Sequence, residues 1–351
     1  MMQQQRVLVT GGAGFIGSNF VHYFLTQHPD EQVVVLDALT YAGNLQNLAA
    51  YANDPRFTFI HGDICNAEIV IEVMKGCKWV VNFAAETHVD RSILAAGAFV
   101  HTDVVGTYTL LEAARTVGIE RFIQISTDEV YGNAEAPDGT SRPSLETDTL
   151  KPLSPYAASK ASADRLAFSY WATYALPVVI TRCSNNYGPY QYPEKQLPLF
   201  ITNALNDRHL PVYGNGSATR DWIHTSDHCR ALDLLLHAPT EIVNGNVFNV
   251  GTGDERSVLN NAQLILDLLE KPHNLIRFVH DRPGHVRRHA VNTQKIRDTL
   301  GWESLISFEQ GIAETISWYC EQQAWLTSVL EHQDTFLAKV LTQTEKALSS
   351  V

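Results

Sequence analysis

The first half of the chain alternates short apolar runs with amphipathic stretches. R-V-L-V-T (6–10), Q-V-V-V-L-D (32–37), F-T-F-I-H-G-D (57–63), K-W-V-V-N-F-A-A (78–85), E-R-F-I-Q-I-S-T (120–127) and P-V-V-I-T-R (177–182) read as strands. Between them lie helical patterns such as 14–25 and T-Y-T-L-L-E-A-A-R (107–115). Val/Ile runs that stay apolar on both faces, with helices between them, predict a parallel sheet covered on both sides. That is an α/β doubly wound domain.

The pattern loosens after about residue 185. S-N-N-Y-G-P-Y-Q-Y-P-E-K-Q-L-P (184–198) is rich in Asn, Pro and Tyr and reads as an ordered loop. N-V-F-N-V-G (246–251) reads as a strand returning to the main sheet, and the remainder mixes helices with D-R-P-G-H (281–285). The expected organisation is a Rossmann-type cofactor domain over 1–185 with a return segment near 222–250. A smaller, mixed α/β C-terminal substrate-binding lobe is drawn from 186–221 and 251–324, and 325–351 forms a helical tail.

Composition narrows the class. The chain has 351 residues, 45% of them apolar and 18% charged, as in ordinary globular proteins. A net charge of -12 argues against nucleic acid as the main partner. Cys65, Cys77, Cys183, Cys229 and Cys320 are scattered and lack a C-x-x-C pair, so neither a disulfide framework nor a zinc site is expected, and no metal is assigned. With no signal-peptide pattern and no long apolar run, the reading is a soluble cytoplasmic protein with no membrane partner.

Chemistry enters at the first strand-to-helix turn. Gly11, Gly14 and Gly17 have the spacing G-x-x-G-x-x-G. Glycines there allow a tight turn and a close approach of backbone to a pyrophosphate, and the helix N-terminus offers it N–H groups. Asp37 ends the second strand, where a carboxylate accepts from an adenosine ribose and repels a 2′-phosphate, favouring NAD over NADP. Asp63, ending another strand, is a candidate for the adenine edge.

Tyr156 and Lys160 stand at i and i+4 after Pro155, so they share a helical face. A neighbouring ammonium lowers the pKa of a phenol and makes it a base. The spacing alone is common on solvated helices. Asp128 and Glu129 lie side by side at a strand end, where like charges repel. A close pair of this kind holds one member protonated near neutrality.

The glycine turn, Asp37, a hydroxyl residue ending a strand and Y-x-x-x-K together resemble the extended short-chain dehydrogenase/reductase family, nucleotide-sugar branch. S-T-D-E-V-Y-G (126–132) resembles the signature of the dTDP-glucose 4,6-dehydratases, and 82–93, 184–195, R-D-W (220–222) and 281–285 agree with it. The likeness runs from about residue 6 to 320. It implies that Thr127, Tyr156 and Lys160 oxidise a sugar hydroxyl with bound NAD, that Glu129 removes the C5 hydrogen, and that Asp128 protonates the leaving O6.

The same likeness implies a cofactor set of Gly11, Gly14, Phe15, Ile16, Gly17, Asp37, Thr40, Asp63, Ile64, Ala84, Ala85, Glu86, Thr102, Tyr156, Lys160 and Asn186. It implies a substrate set of His88, Thr127, Asn185, Lys195, Gln196, Arg220, Asp281, Arg282 and His285, with Pro211, Val212 and Tyr213 as an apolar wall for the base. Val286 follows D-R-P-G-H where the family usually has Asp, and His289 stands where Tyr is usual; these departures fall in the lobe that would hold the base. The expected partner is a nucleotide-sugar substrate, dTDP-glucose first, with a UDP-glucose 4,6-dehydratase or an epimerase or decarboxylase of the same family as the alternative. An NAD-binding protein without activity is the reading from another class. The family is commonly a homodimer, and the helix in 102–118 is the candidate contact.

Overall fold

The structure, a computed structural model, describes residues 5–134, 141–280 and 286–331. Seven strands form the main sheet: β1 (Arg6–Thr10), β2 (Gln32–Asp37), β3 (Phe57–His61), β4 (Trp79–Asn82), β5 (Arg121–Thr127), β6 (Val178–Cys183) and β10 (Val247–Val250). Their order is β10-β6-β5-β4-β1-β2-β3, and every pairing is parallel.

Alternate residues of a strand face opposite sides, and here both sides are buried. Val7 and Val9 join Phe20 and Phe24 of the helix Phe15–Gln27 and Leu232 of the helix Thr225–His237. Leu8 joins Leu110 of the helix Thr107–Val117 and Ala167 of the helix Pro155–Tyr174 on the other side. Each fully buried Val, Leu or Phe side chain among them contributes about 1.5–3 kcal/mol of transfer free energy. The strand order reverses at β1, which has β2 on one side and β4 on the other. A crevice at the carboxyl ends of strands flanking that point is where doubly wound sheets bind ligands.

The second lobe is built on β9 (Thr219–His224), which pairs with β7 (Asn185–Tyr187), β11 (Glu255–Ser257) and β13 (Arg288–His289). β8 (Leu210–Tyr213) pairs separately with β12 (Ile276–Val279). Phe200, Ile201, Trp222, Ile265, Phe308 and Tyr319 form its core. The stretch 184–198, expected to be loop, holds β7 and the start of the helix Gln196–Leu205. Pro198 falls in the first turn of that helix, where a missing N–H costs little, and β7 takes its hydrogen bonds from a strand distant in sequence, so no local pattern announces it.

A helical stretch covers 323–331, and Trp325 Nε1 donates to Asn47 Oδ1 at 2.7 Å, tying it to the turn Leu45–Tyr51 after β2. The rest of the expected tail lies outside the described residues. Among the described residues no helix is long and apolar enough to cross a membrane.

Candidate active site

Two adjoining cavities open at the carboxyl ends of the main sheet, of about 290 Å³ and about 220 Å³. Glu129, Asn185, Asn186 and Lys195 line both. Every residue expected at the cofactor lines the first. Gly14 is the N-cap of the helix Phe15–Gln27 and no side chain caps that end. Its first-turn N–H groups are therefore left for a ligand. Gly11 has φ +66°, and a Cβ on it would lie 2.6 Å from the Ala84 nitrogen. On Gly17 a Cβ would collide with the Gly11 carbonyl oxygen. The turn therefore accepts only glycine at both places. Asp37 is held at the far end by N–H groups of Ala13 (2.9 Å) and Leu39 (2.8 Å) on its two oxygens. Burial raises its pKa, and those two N–H groups support the charged form against it.

This set fits a dinucleotide: a backbone cradle that any Cβ would fill, a free helix N-terminus, and a carboxylate about 20 residues beyond the glycines. Gly11→Ala is accordingly expected to strip bound dinucleotide from the purified protein, read as the loss of the nucleotide released on acid denaturation.

At the end of β5, Thr127 caps the short turn Asp128–Tyr131. Its Oγ1 accepts from the Glu129 N–H (3.3 Å) and donates to Asp128 Oδ1 (3.2 Å). Asp128 is buried, and its Oδ2 has no hydrogen-bond partner among the described residues. Burial first, then the charges of Glu129 and Asp221, push its pKa up to about 8 against the pull of Arg220. Asp128 is thus a protonated acid at neutral pH, with its free oxygen at the cavity wall.

Ser154 caps the helix Pro155–Tyr174 by accepting from the Ala157 N–H, and Pro155 fills the first position. Tyr156 and Lys160 project from it into the first cavity. Lys160 Nζ donates to the Ile125 carbonyl at 2.6 Å. The expected lowering of the Tyr156 pKa by Lys160 does not hold here. Burial raises it well above 10, and the charges of Glu129 and Asp103 add to the rise. Lys160 is itself buried, which lowers its pKa, and Asp103 is the charge that most supports its ammonium.

Asp103 is the residue the sequence did not single out. It is buried, accepts from Ser159 Oγ (2.5 Å) and from the Glu86 N–H (3.0 Å), and burial pushes its pKa up to about 6. Its only sequence signal is a carboxylate on the buried side of an apolar helix. A second feature missed is a bridge at the cavity mouth: Arg91 lies over the Tyr41 ring at 3.8 Å and donates to Glu194 Oε2 at 2.9 Å.

The second cavity collects His88, Asn185, Lys195, Gln196, Pro211, Tyr213 and Arg220, beside Trp222, Val286 and His289. Asn185 Oδ1, Gln196 Nε2 and Trp222 Nε1 are buried polar atoms without hydrogen bonds among the described residues, the pattern of a polar site for an oxygen-rich ligand. Arg220 Nη2 donates to the Val286 carbonyl at 2.8 Å. Val212 is a correction: it lines neither cavity and is buried in the lobe core, because alternation along β8 sends Pro211 and Tyr213 one way and Val212 the other. Asp281, Arg282 and His285 lie outside the described residues.

Residues 8–315 match the family described as GDP-mannose 4,6 dehydratase. The chain is 47% identical over 327 residues to a dTDP-glucose 4,6-dehydratase of Actinoplanes sp., covering 92% of this chain and 100% of the relative. It is 50% identical over 313 residues to the low-salt glycan biosynthesis protein Agl12 of Haloferax volcanii, covering 89% and 98%. Among solved structures it is similar to DesIV, a dTDP-glucose 4,6-dehydratase of Streptomyces venezuelae crystallised with NAD, at 46% identity and TM-score 0.88, covering 93% of this chain and 100% of that one.

Proposed function

The chain belongs to the dTDP-glucose 4,6-dehydratases of the GDP-mannose 4,6 dehydratase family, and from that we propose that it converts dTDP-glucose to dTDP-4-keto-6-deoxyglucose and water. It is an NAD-dependent hydro-lyase. The glycine turn and Asp37 would hold NAD in the first cavity, where it would supply the acceptor for the C4 hydride and the donor of the same hydride to C6. Tyr156 takes the proton of the C4 hydroxyl, and Thr127 hydrogen-bonds the same oxygen. Tyr156 accepts that proton as the phenolate, the form that burial, Glu129 and Asp103 disfavour and that the ammonium of Lys160 favours. Lys160, fixed by the Ile125 carbonyl, would hold the ribose of the cofactor beside that tyrosine.

The new ketone acidifies the hydrogen at C5. Glu129 removes it, Asp128 protonates O6 so that water departs, and Glu129 returns its proton to C5 once the hydride has reached C6. The proton that Tyr156 took from O4 replaces the one Asp128 gave to O6, so one water leaves and the residues end as they began. Asn185, Lys195 and Arg220 hold the sugar and diphosphate, and Pro211 and Tyr213 wall the base.

The observation that carries this reading is Asp128 beside Glu129: one buried, protonated acid adjoining a second carboxyl where the two cavities meet. A dehydrogenase or an epimerase has no use for that pair. Incubation with dTDP-glucose, with mass spectrometry of the product, should show loss of one water and no build-up of free NADH; an isomer of unchanged mass or steady NADH release overturns it.

We further assign 1–185 with the return near 222–250 to the cofactor unit, and 186–221 with 251–324 to the substrate lobe. We place the enzyme in the cytoplasm as a homodimer. Support for the dimer comes from Val100, Val105 and Tyr108, at 52%, 40% and 50% exposure along one helical segment. Tyr108→Glu with Val105→Asp is expected to halve the mass measured by light scattering.

A further inference from the structure

The amino-terminal edge of the main sheet, opposite the cavities, carries another cluster of titratable side chains. His28 is the C-cap of the helix Phe15–Gln27, Glu31 directly precedes β2, and His237 ends the helix Thr225–His237. One donor atom from each of these three lies within 4.8 Å of the other two. The imidazoles stack with centroids 4.7 Å apart. Asp233 stands behind both rings, its Oδ1 at 2.8 Å from His28 Nε2 and 3.1 Å from His237 Nδ1. The other ring nitrogen of His237 faces Glu31 Oε1 at 3.8 Å. Glu31 Oε2 is buried and has no hydrogen-bond partner among the described residues. Phe24 and Trp79 pack against the rings.

The place selects positive charge. Two carboxylates meet there, and both helices end there, adding negative partial charge. Arg56 pairs with Asp54 and donates to the carbonyls of Leu25, His28 and Pro29, and Arg230 pairs with Asp227.

We propose that His28, Glu31 and His237 form a binding site for a divalent transition-metal cation of the zinc class, with Asp233 orienting the two imidazoles. Two imidazole nitrogens and a carboxylate oxygen are a donor set that such ions take readily, and a carboxylate behind a ligating histidine is the usual outer partner. Bonds of about 2.0–2.2 Å place neighbouring donors roughly 3.4 Å apart, which side-chain rotation reaches from the present spacing. A divalent ion there balances the carboxylates of Asp233 and Glu31. The ion would clasp two helix ends whose histidines are far apart in sequence, which is why cysteine spacing gave no hint of it.

The test uses the full chain, stripped with chelator and titrated with Zn²⁺ and Co²⁺. Melting temperature should rise by several degrees and saturate at one ion per chain, and Co²⁺ should give a visible absorption band. The His28→Ala/His237→Ala variant should lose both responses, compared with and without metal so that its own stability does not enter. Asp63, Cys65 and His101 are the other described grouping of ligand type, so Cys65→Ser should keep both. No response in the unaltered chain, an undiminished response in the double variant, or its loss in Cys65→Ser overturns the assignment.

Discussion

Asp128→Asn and Glu129→Gln are each expected to slow turnover of dTDP-glucose by about 100-fold or more, the scale of a lost general acid or base. Binding should change little, since neither variant alters size or the Thr127 cap. The two failures are distinguishable. Glu129→Gln removes the base, so incorporation of solvent deuterium at C5 should collapse with turnover. Asp128→Asn spares the base but leaves O6 without a proton, so deuterium should still exchange at C5 while water loss stalls. Equal loss of exchange in both variants would mean the roles are not divided as proposed.

The pH dependence follows from the same residue. Asp128 acts in its protonated form, so turnover should fall as pH rises through about 8. The residual rate of Asp128→Asn should lack that limb. For stability the sign is set by the raised value. Between its ordinary 3.8 and about 8 the folded chain holds a proton that the unfolded chain has released. Stability from this group is therefore present at low pH and lost as pH rises across that window.

Arg182→Met is expected to cost about 3 kcal/mol of stability, measured by urea denaturation, because it strands a buried carboxylate. Arg182 on β6 and Asp164 on the helix of Tyr156 are both buried and joined at 2.8 and 3.1 Å. Arg182 also donates to the Tyr131 hydroxyl at 2.8 Å, and that hydroxyl donates to Asn249 Oδ1 at 2.7 Å. Arg165 also donates to Asp164 Oδ1, which keeps the loss near the low end for such pairs. Replacing both partners, Arg182→Met with Asp164→Leu, should recover much of it, since an apolar pair leaves no charge in the interior. Turnover should drop in both variants, because the network joins the Asp128–Tyr131 turn to the helix that carries Tyr156 and Lys160.

Much of this was legible in the chain itself. β1, β2 and β5 announce themselves because parallel strands buried on both faces must be apolar without interruption. Gly11 and Gly17 are legible because their geometry excludes any side chain. Asp128 and Glu129 stood out because adjacent like charges repel and gain little at a strand end. Asp103, Arg182 and Asp164 were not legible, since a buried charge looks in sequence like an exposed one until its partner is placed. The state of Tyr156 was misjudged for a related reason. Helical spacing gives the distance to Lys160 but not the burial, nor the carboxylates from other elements that outweigh it. Val212 was misplaced because a three-residue run carries no sign of which face of its strand is inward.

The return of β10 to the edge of the main sheet bears on how such enzymes can diversify. The chain leaves the sheet after β6, comes back through the helix Thr225–His237 and β10, and leaves once more for β11. The lobe is therefore not a module that one recombination event could exchange. Trading it for another requires two segments to be swapped together, each matched to the same retained strand. New substrate preference on this scaffold is reached more readily by point changes at positions such as Val286 and His289, which line the second cavity, than by shuffling of whole lobes.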